Sequence, residues 1–571
     1  MCCALHLHLL AILFAAGFVG GCRRGETPPK GPITFNKHVA PIVFAHCTSC
    51  HRPGEAGRFS LLTYDDAKSQ ARTILESVQT RYMPPWLPDG PHGVFVDDSR
   101  LTDAKIALME RWVKDGLLEG NPADLPLPPR FPTDWPLGKP DLVVTLPEPY
   151  VMAGDGPDVY RNFVIPIGNK EQRFVRATDV RPGGRAVHHA LMAFDRANVA
   201  RRWDARDAEP GFASFTLPPN LDMPNHFIAW LPGKRPCAVQ PGLQWTLNAN
   251  SDLVLQLHMR PMGRREEVRP QVAFYFTSEP PTNQPIKIQT SSLRIEIPPG
   301  VSNHLVHAEF PIAGEAQVLA VNPHAHFLAR EMTLRVRLPN GQRQTLVHIP
   351  EWDFNWQDYY HYAKPPVLPG GSVLEVDILY DNSAGNPRNP NHPPKTVRYG
   401  LDSSDEMAVM AVQLLPTTPA ATQAIQQSQV QDLLQFTYDF NSFLLQREPT
   451  NVHARVGLGR HFYMSRNLPA AAQQLAIARR LDPQDEDAAL MSGIVAQFSA
   501  QPEAARRHFE DCIRINRDHP RAHGCLAVLA AQQGWIEIAE AQLYEALRID
   551  PNDSEAKSML RQLKQQTRRA N

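Results

Sequence analysis

Six side chains that can bind a transition metal lie between residues 185 and 410. They are, in chain order, His188, His189, His258, His324, His326 and Met407. Imidazole suits copper, zinc, iron and nickel, whereas a thioether selects a soft metal such as Cu(I). A set of two histidines and Met407 is therefore unusual for zinc and favours copper that cycles between Cu(I) and Cu(II).

The spacing of these residues indicates how they converge. Residues i and i+2 of a strand point to the same face, so His324 and His326 can aim at one ion. His188 and His189 would diverge on a regular strand, and they need a bulge, a twist or a strand end to converge. With His258 they would form a second, all-histidine site. Taken singly, a His-x-His pair on a strand is more often a surface pair than a ligand pair.

The order of these motifs resembles a known family. His-His, Leu-Gln-Leu-His, His-Ala-His and Ser-Ser-Asp-Glu-Met follow one another as in the copper type II, ascorbate-dependent monooxygenases, which include peptidylglycine α-hydroxylating monooxygenase and dopamine β-monooxygenase. The resemblance covers roughly residues 140–415. It implies two copper ions and hydroxylation of a C–H bond with O₂. It matches the three earlier histidines to an electron-transfer copper, and His324, His326 and Met407 to the catalytic copper that binds oxygen.

The sequence departs from this family at the substrate contacts. In the peptide-hydroxylating member, an arginine two residues before the His-x-His pair holds the substrate carboxylate, and a tyrosine four residues after the methionine assists. Those positions are Asn322 and Ala411 here. The animal enzymes carry several disulfides, whereas this stretch contains only Cys237. The substrate is therefore left open as a small molecule or a peptide other than a peptidylglycine.

A second motif, Cys47-Thr-Ser-Cys50-His51, could hold haem. Two thiols and an imidazole at this spacing can form two thioether bonds to haem vinyl groups, with His51 as the proximal iron ligand. A zinc half-site and a redox Cys-x-x-Cys pair are the alternatives. Zinc would need a second ligand pair nearby, and a thioredoxin-like motif would need a βαβ setting. The flanking sequence instead predicts helices, which favours one covalently bound haem c.

Met83, in Arg81-Tyr-Met-Pro-Pro-Trp86, is predicted to be the sixth iron ligand, and the prolines after it would stiffen the loop that presents it. A thioether opposite histidine raises the reduction potential, as in cytochromes c. Met109 is the rival, on a helix that is expected to pack. A haem on the same chain predicts that electrons reach the all-histidine copper from the haem at His51. An ascorbate-like reductant or an envelope redox protein would then be the more distant electron donor.

The N-terminal residues predict export. Residues 5–20 form an apolar run that is too short to span a bilayer comfortably, which is typical of a signal peptide. The run ends Val19-Gly-Gly-Cys22, which resembles a bacterial lipobox with Cys22 as the lipidated residue. An ordinary cleaved signal is the alternative. Either form predicts a protein of the periplasm or cell envelope, with membrane contact only through a lipid on Cys22.

Composition sets wider bounds. A chain of 571 residues is too long for a single core. Its net charge of −1, from 58 basic and 59 acidic residues, gives no indication of a nucleic acid or an anionic membrane surface as partner. The eight cysteines do not form the pattern of a disulfide framework, and Cys512 and Cys525 are predicted to be small core residues.

The elements that position these residues divide the chain into domains. After a signal peptide at residues 1–22, residues 33–120 predict an all-α cytochrome c-like haem domain, and residues 121–140 a proline-rich linker. Strand-like runs separated by closely spaced turns then predict antiparallel β-sandwiches. By the resemblance, these are two tandem jelly-roll-like domains at residues 141–280 and 285–416, with one copper each.

The C-terminal part is predicted to be helical. Residues 417–446 read as a helical linker, and residues 447–568 contain a repeat with a step of 34 residues, which is the tetratricopeptide period. Three repeats and a capping helix at residues 552–568 reach the usual minimum for a stable α-solenoid. Such a solenoid binds a protein partner in its groove, braces the rest of the chain, or mediates self-association.

Other interpretations stay open. The missing substrate clamps allow a non-enzymatic haem and copper electron carrier of the envelope, although Met407 argues against it. Zinc hydrolysis lacks an obvious general-base glutamate beside the His-x-His pair. The aromatic run Trp352–Tyr362 predicts either packing or a wall of the substrate cleft. The remaining histidines of this region are predicted to be non-ligands, and the ones considered are His307, His361 and His392.

Overall fold

The structure is a computed structural model. It describes residues 29, 31–53, 57, 59–131, 135–196, 198–214, 217–218, 221–231, 234, 236, 238–400, 402–550 and 553–570. The predicted signal peptide with Cys22 lies outside the described residues, as does Cys237. The chain divides into two compact units. The first contains residues 1–84 and 99–130, and the second contains residues 85–98 and 131–571.

The described residues of the first unit form four α-helices after a π-helical turn at Phe35–Val39. The helices are α1 (Ala40–His46), α2 (Tyr64–Ser69), α3 (Ala71–Gln79) and α4 (Asp103–Lys114). Thr63 and Thr102 cap α2 and α4, because each side chain accepts a hydrogen bond from a backbone amide of the first turn. Phe35, Met109 and Trp112 are buried together in the core of this unit.

Residues 85–98 belong to the second unit, although the sequence places them in the haem domain. The amide of Asp89 donates to the carbonyl of His348 (3.0 Å), and the amide of Val96 donates to the carbonyl of His361 (2.7 Å). The Phe95 ring lies 4.8 Å from the Tyr362 ring. This segment therefore packs on the C-terminal β-sandwich and interrupts the predicted domain at residues 33–120.

The first β-sandwich spans β1 to β10 and contains one short helix. Its elements are β1 (Leu142–Thr145), β2 (Tyr150–Met152), β3 (Val159–Pro166), β4 (Arg173–Arg181), β5 (Val187–Asp195), α5 (Val199–Asp204), β6 (Phe212–Ala213), β7 (Trp245–Leu247), β8 (Asp252–Met259), β9 (Glu266–Val268) and β10 (Gln271–Thr277). One sheet has the order β1-β10-β4-β7 and the other β5-β8-β3-β6, while β2 pairs with β9. All eight residues of β8 are buried, so both faces of this strand are covered.

The second β-sandwich spans β11 to β21. Its strands are β11 (Ile286–Ser291), β12 (Glu296–Ile297), β13 (His304–Ile312), β14 (Ala316–His324), β15 (Ala329–Arg337), β16 (Arg343–Ile349), β17 (Tyr360–His361), β18 (Val367–Leu368), β19 (Ser372–Tyr380), β20 (Val397–Arg398) and β21 (Val409–Pro416). One sheet has the order β13-β19-β15-β16 and the other β11-β21-β14-β17, with β18 also paired to β14 and β12 paired to β20. Apolar residues of both sheets share one core.

The C-terminal part is helical, as predicted. It consists of α6 (Pro419–Arg447), α7 (Val452–Met464), α8 (Leu468–Leu481), α9 (Glu486–Phe498), α10 (Pro502–Ile515), α11 (Pro520–Gln532), α12 (Ile536–Ile549) and α13 (Ser554–Ala570). The predicted linker at residues 417–446 is the single helix α6, whose Phe443 ring packs 5.1 Å from Tyr399. Three helix pairs follow, and Cys512 is buried between them while Cys525 is half-buried. In the part of the chain that the structure describes, no helix is long and apolar enough to cross a membrane.

Candidate metal centres

The structure brings His188, His189 and His258 together on neighbouring strands. β5 and β8 are antiparallel, with His189 opposite His258. The register shifts between Val187 and His189, so His188 is the extra residue of a bulge. This irregularity is what the convergence of two consecutive histidines requires. One ligand atom from each of the three side chains lies within 4.8 Å of the others.

The nitrogen atoms of this cluster fit a metal ion. Among the described residues, no hydrogen-bond partner is found for either ring nitrogen of His188, or for the Nδ1 atoms of His189 and His258, although all four atoms are buried. Leaving such an atom unpaired costs about 1–3 kcal/mol. A metal ion held by three imidazoles would satisfy one nitrogen of each ring, so the donor set fits copper or zinc.

Asp158 and Tyr160 orient His258. The Nε2 atom of His258 lies 2.8 Å from Oδ2 of Asp158, which leaves Nδ1 for a metal. The Tyr160 ring stacks on the His258 ring with centroids 4.2 Å apart. Burial alone would raise the pKa of Asp158, but the hydrogen bond and charge of His258 lower it below its ordinary value. A carboxylate behind a ligating histidine fixes the tautomer and makes the ligand more basic.

Replacement of Asp158 with asparagine should weaken metal binding at this cluster about 10- to 100-fold, because the negative charge behind His258 is lost. The affinity can be measured by titrating metal against a competing chelator. Asp155→Asn is a matched control, since Asp155 is exposed and lies three residues away. Equal affinities in the two variants would show that Asp158 does not position a ligand.

The second group, His324, His326 and Met407, also converges. His324 ends β14 and its Nε2 atom lies 3.3 Å from the Met407 sulphur. His326 lies just beyond the end of the strand rather than on it, with its ring 5.4 Å from the His324 ring and nearly perpendicular to it. The sequence predicted that both histidines share a strand face, and the turn after β14 brings them together instead.

Two hydrogen bonds orient these imidazoles. Nδ1 of His324 is bonded to the side-chain oxygen of Gln357, and Nδ1 of His326 lies 3.2 Å from the carbonyl of Asp405. The opposite nitrogens, together with the Met407 sulphur, are the candidate ligand atoms of this group. Two imidazoles and a thioether fit copper better than zinc, because the thioether is a soft ligand.

Glu406 ties the ligand-bearing segments together. This fully buried carboxylate accepts hydrogen bonds from the amides of His326 (2.9 Å), Leu328 (2.6 Å) and Met407 (3.1 Å). Burial raises the pKa of Glu406 to about 8, and these hydrogen bonds oppose the rise. The side chain thus fixes the turn after β14 to the strand that begins after Met407.

One aromatic ring lies between the two ligand groups. The Phe354 ring stacks on His188 at 5.3 Å and meets His326 edge-on at 5.5 Å. The indole N–H of Trp352 donates to the carbonyl of His326 (3.1 Å), and the Gln357 amide donates to the carbonyl of Phe354 (3.0 Å). The aromatic run therefore contains buried packing residues and also residues that touch both ligand groups.

The positions of the missing substrate clamps lie beside His324. Asn322 is two residues before His324 on β14 and pairs with Ala411, which in turn pairs with Gln289. Paired residues of neighbouring strands share a face, so these three side chains form a row next to the second ligand group. The Asn322 amide donates to the carbonyl of Asp358 (2.9 Å). The row therefore contains two amide side chains and no positively charged side chain that could pair with a substrate carboxylate.

A cavity of about 210 Å³ lies further along the same sheet. Gln413 and His361 line it, together with Lys234, whose ammonium group is 3.0 Å from the Asp358 carboxylate. Burial lowers the pKa of His361 to about 4. His361 is therefore a cavity residue and not a member of either ligand group. His307, also predicted to be a non-ligand, is bonded to Asp377 at 2.7 Å.

Acid should destabilise the metal-free second unit. Burial, the main cause, lowers the pKa of His188 and His326 to about 3 and of His226 and His361 to about 4. The unfolded chain takes up these protons near pH 6.5, whereas the folded chain does not, so stability falls as the pH drops below 6.5 and stops falling near pH 3. Each histidine adds at most about 1.4 kcal/mol per pH unit to the slope. Denaturant unfolding between pH 7 and 4 measures it, and a flat profile contradicts the burial of these histidines.

In the first unit, Cys47, Cys50 and His51 lie in one turn after α1. The amides of Cys50 and His51 both donate to the carbonyl of Cys47 (3.2 and 3.0 Å). Nδ1 of His51 lies 3.2 Å from the carbonyl of Phe59, which leaves Nε2 for iron. A Cβ atom at Gly57 would lie 2.8 Å from Nδ1 of His51, so glycine lets the loop pass behind the imidazole.

The alternatives for this motif fit less well. Burial raises the pKa of the Cys47 thiol to about 12, whereas a redox Cys-x-x-Cys motif needs a readily formed thiolate. Within the described ranges, Cys47, Cys50 and His51 do not form a cluster with metal-ligand spacing, as a zinc site requires. Of the two predicted sixth ligands, Met109 is buried in the core, and Met83 is half-buried after α3.

Comparisons with known proteins identify the C-terminal repeats. The tetratricopeptide repeat family model matches residues 440–486 and 490–554, which confirms the predicted repeats and indicates binding of a protein partner. A comparison with curated proteins finds no significant match.

Two solved structures resemble part of the chain. The crystal structure of MamA is 16% identical over 25% of this chain and 82% of that one, with a TM-score of 0.23. The first TPR of Spaghetti (RPAP3) bound to the HSP90 peptide SRMEEVD is 16% identical over 20% of this chain and 92% of that one, with a TM-score of 0.20. These scores are too low to support a functional conclusion. The chain is thus a multidomain protein with a β-rich region and C-terminal tetratricopeptide repeats.

Proposed function

We propose that the second unit is a copper-dependent monooxygenase that hydroxylates a substrate C–H bond with O₂. The observation that carries this proposal is the pair of neighbouring ligand groups with different donors. Three imidazoles lie on one side of Phe354, and two imidazoles with the thioether of Met407 lie on the other. A structural zinc site is typically a single ion held by four cysteine or histidine ligands, without a thioether and without a second ligand group beside it.

The side chains around the ligands orient them. Copper, when bound, would supply one-electron chemistry and the activation of O₂. Gln357 and the Asp405 carbonyl bond the Nδ1 atoms of His324 and His326 and so leave both Nε2 atoms for a metal, and Nε2 of His324 lies beside the Met407 sulphur. Asp158 holds His258 in the same way. Phe354 contacts one imidazole of each group, His188 and His326.

The row beside His324 indicates the class of substrate. Asn322 and Gln289 carry amide groups, and Ala411 between them carries only a methyl group. Amides donate and accept hydrogen bonds but do not neutralise a carboxylate. We therefore favour a substrate that presents a neutral polar group near the reacting carbon rather than a C-terminal carboxylate.

We further propose that the first unit is a cytochrome c-like domain whose haem supplies the electrons. Cys47 and Cys50 would carry the thioether bonds, with His51 and Met83 as axial ligands. Covalent haem attachment and the N-terminal apolar run both support export to the periplasm or cell envelope. Cys50→Ala should abolish haem reduction and substrate turnover together. Unchanged turnover in that variant would contradict the electron route.

Oxygen uptake tests the proposed reaction. The copper-loaded full chain, reduced by ascorbate, should consume O₂ in step with hydroxylated product when a suitable neutral polar substrate is added, and Met407→Ala should not. The Phe354 ring, which contacts one histidine of each group, also favours a second candidate, a non-enzymatic haem and copper electron carrier. That candidate predicts rapid redox exchange without any substrate-dependent uptake.

A further inference from the structure

The short helix α5 connects the first ligand group to the repeats. It follows β5, which carries His188 and His189. Asp195, the last residue of β5, accepts a hydrogen bond from the amide of Ala200 (2.7 Å). Arg201 forms an ion pair with Asp252, the first residue of β8. The helix is therefore fixed to both strands that carry the three histidines.

The next two residues of α5 contact the repeats instead. The Arg202 guanidinium is 2.5 Å from Oε1 of Glu486, the first residue of α9, and its Nε donates to the same oxygen (3.1 Å). The Trp203 ring stacks on His453, the second residue of α7, with centroids 4.6 Å apart. Both repeat residues lie at the N-terminal end of the first helix of a repeat.

The repeat side of this contact is acidic and buried. Asp485, Glu486 and Asp487 begin the middle repeat, and each is less than a tenth exposed. Such carboxylates are costly to bury unless a cation pairs with them. Arg202 reaches only one oxygen of Glu486, and among the described residues no hydrogen-bond partner is found for Oε2. The site therefore accepts an arginine and has capacity for a further donor.

We propose that this acidic row, Asp485–Asp487 with His453, is a protein-binding surface of the repeats, and that α5 occupies it in cis. Its ligand is a short helix in which an arginine is followed by an aromatic residue. Two consequences follow. The repeats hold α5, which is bonded to both β5 and β8. An external partner that presents the same arginine and aromatic residue must displace α5 in order to bind. The inference does not depend on the identity of any bound metal.

Hydrogen exchange on the full chain tests the cis contact. Arg202→Ala and Glu486→Gln should each speed amide exchange in α5 about tenfold or more, and the double variant should add little, because both remove the same contact. Arg506→Ala is the matched control, since its ion pairs with Glu503 and Glu510 lie on the exposed face of α10. The proposal would be overturned if Glu486→Gln left the exchange rate in α5 unchanged. It would also be overturned if the rate increase in the double variant equalled the product of the two single increases, because the two side chains would then act independently.

A crosslink covers the case in which these variants unfold. Trp203→Cys combined with His453→Cys should be joined by a short bifunctional thiol reagent in the full chain, because the two replaced rings are stacked and such a reagent spans the space that they leave. No such crosslink should form between Trp203→Cys and Ser499→Cys, at the other end of α9. A chain that forms neither crosslink contradicts the contact.

Competition in trans tests the ligand chemistry. A labelled peptide of residues 198–207 should bind the Arg202→Ala, Trp203→Ala full chain at least about tenfold more tightly than the unaltered chain, because α5 no longer fills the row. Glu486→Gln added to that variant should remove the binding. If the peptide bound the unaltered chain and the Arg202→Ala, Trp203→Ala chain equally well, or bound neither, the proposal that α5 occupies the acidic row would be overturned.

Discussion

His258→Ala is expected to abolish stoichiometric metal binding at the all-histidine group while the second group keeps its metal. His258 is fully buried, and one ligand atom of its ring lies within 4.8 Å of those of His188 and His189. The metal loses one of its three ligands, so its affinity should fall by more than about 100-fold. This exceeds the usual loss when only a residue that hydrogen-bonds to a ligand is replaced. The loss also leaves Asp158 without the hydrogen bond that it makes to this ring.

Thermal unfolding gives a second readout of the same change. A ligand at 100 times its dissociation constant stabilises the folded state by about 2.7 kcal/mol. Copper should therefore raise the melting temperature of the unaltered chain more than that of His258→Ala. His307→Ala is the control, because His307 is paired with Asp377 away from both groups. Equal stabilisation of all three proteins would mean that copper binds elsewhere.

Glu406→Ala should cause the largest loss of stability among these variants. The substitution leaves the amides of His326, Leu328 and Met407 without acceptors in a buried site. Leaving a buried hydrogen-bonding group unpaired costs about 1–3 kcal/mol for each group, so the loss of three acceptor contacts should cost about 3 kcal/mol or more. The turn that carries His326 would also separate from Met407, so the second ligand group should lose its metal together with stability.

Glu406→Gln separates the two effects. Glutamine keeps the size of the side chain and one acceptor oxygen, but its amide group faces N–H donors, so an intermediate loss is expected. Denaturant unfolding and metal content can be measured on the same samples. A stable Glu406→Ala protein with full metal content would show that Glu406 does not hold the two ligand segments together.

The grouping of these side chains could be predicted from the sequence because it depends on residue types and short spacings. His188 and His189 needed an irregular strand, and the register of β5 shifts between Val187 and His189. The repeats were accessible for a similar reason, since a 34-residue period is visible without any tertiary contact. Such local patterns can be recognised in the sequence because side chains alternate between the two faces of a strand and because the helix pairs recur at a fixed spacing.

The residues that orient the ligands were not predicted. Asp158 lies 100 residues before His258, and Gln357 lies 33 residues after His324. Only strand pairing and loop packing bring such pairs together, and no short motif records them. Phe354 belongs to an aromatic run that the sequence singled out, but the run alone does not tell which ring faces the ligands.

The same limit explains the misplaced domain boundary. Residues 85–98 carry proline and aromatic residues that suit the loop of a small helical domain, yet their hydrogen bonds go to His348 and His361. These partners lie more than 250 positions along the chain. The contact between Arg202 and Glu486 spans 284 positions and was likewise hidden.

Metal analysis with electron paramagnetic resonance on the full chain, expressed with haem maturation and supplied with copper, tests the central claim most directly. The proposal predicts two coppers per haem with type 2 signals, and the loss of one equivalent in either His258→Ala or Met407→Ala. One haem without stoichiometric copper, or zinc in place of copper, would contradict two copper sites and leave a haem-bearing scaffold with tetratricopeptide repeats.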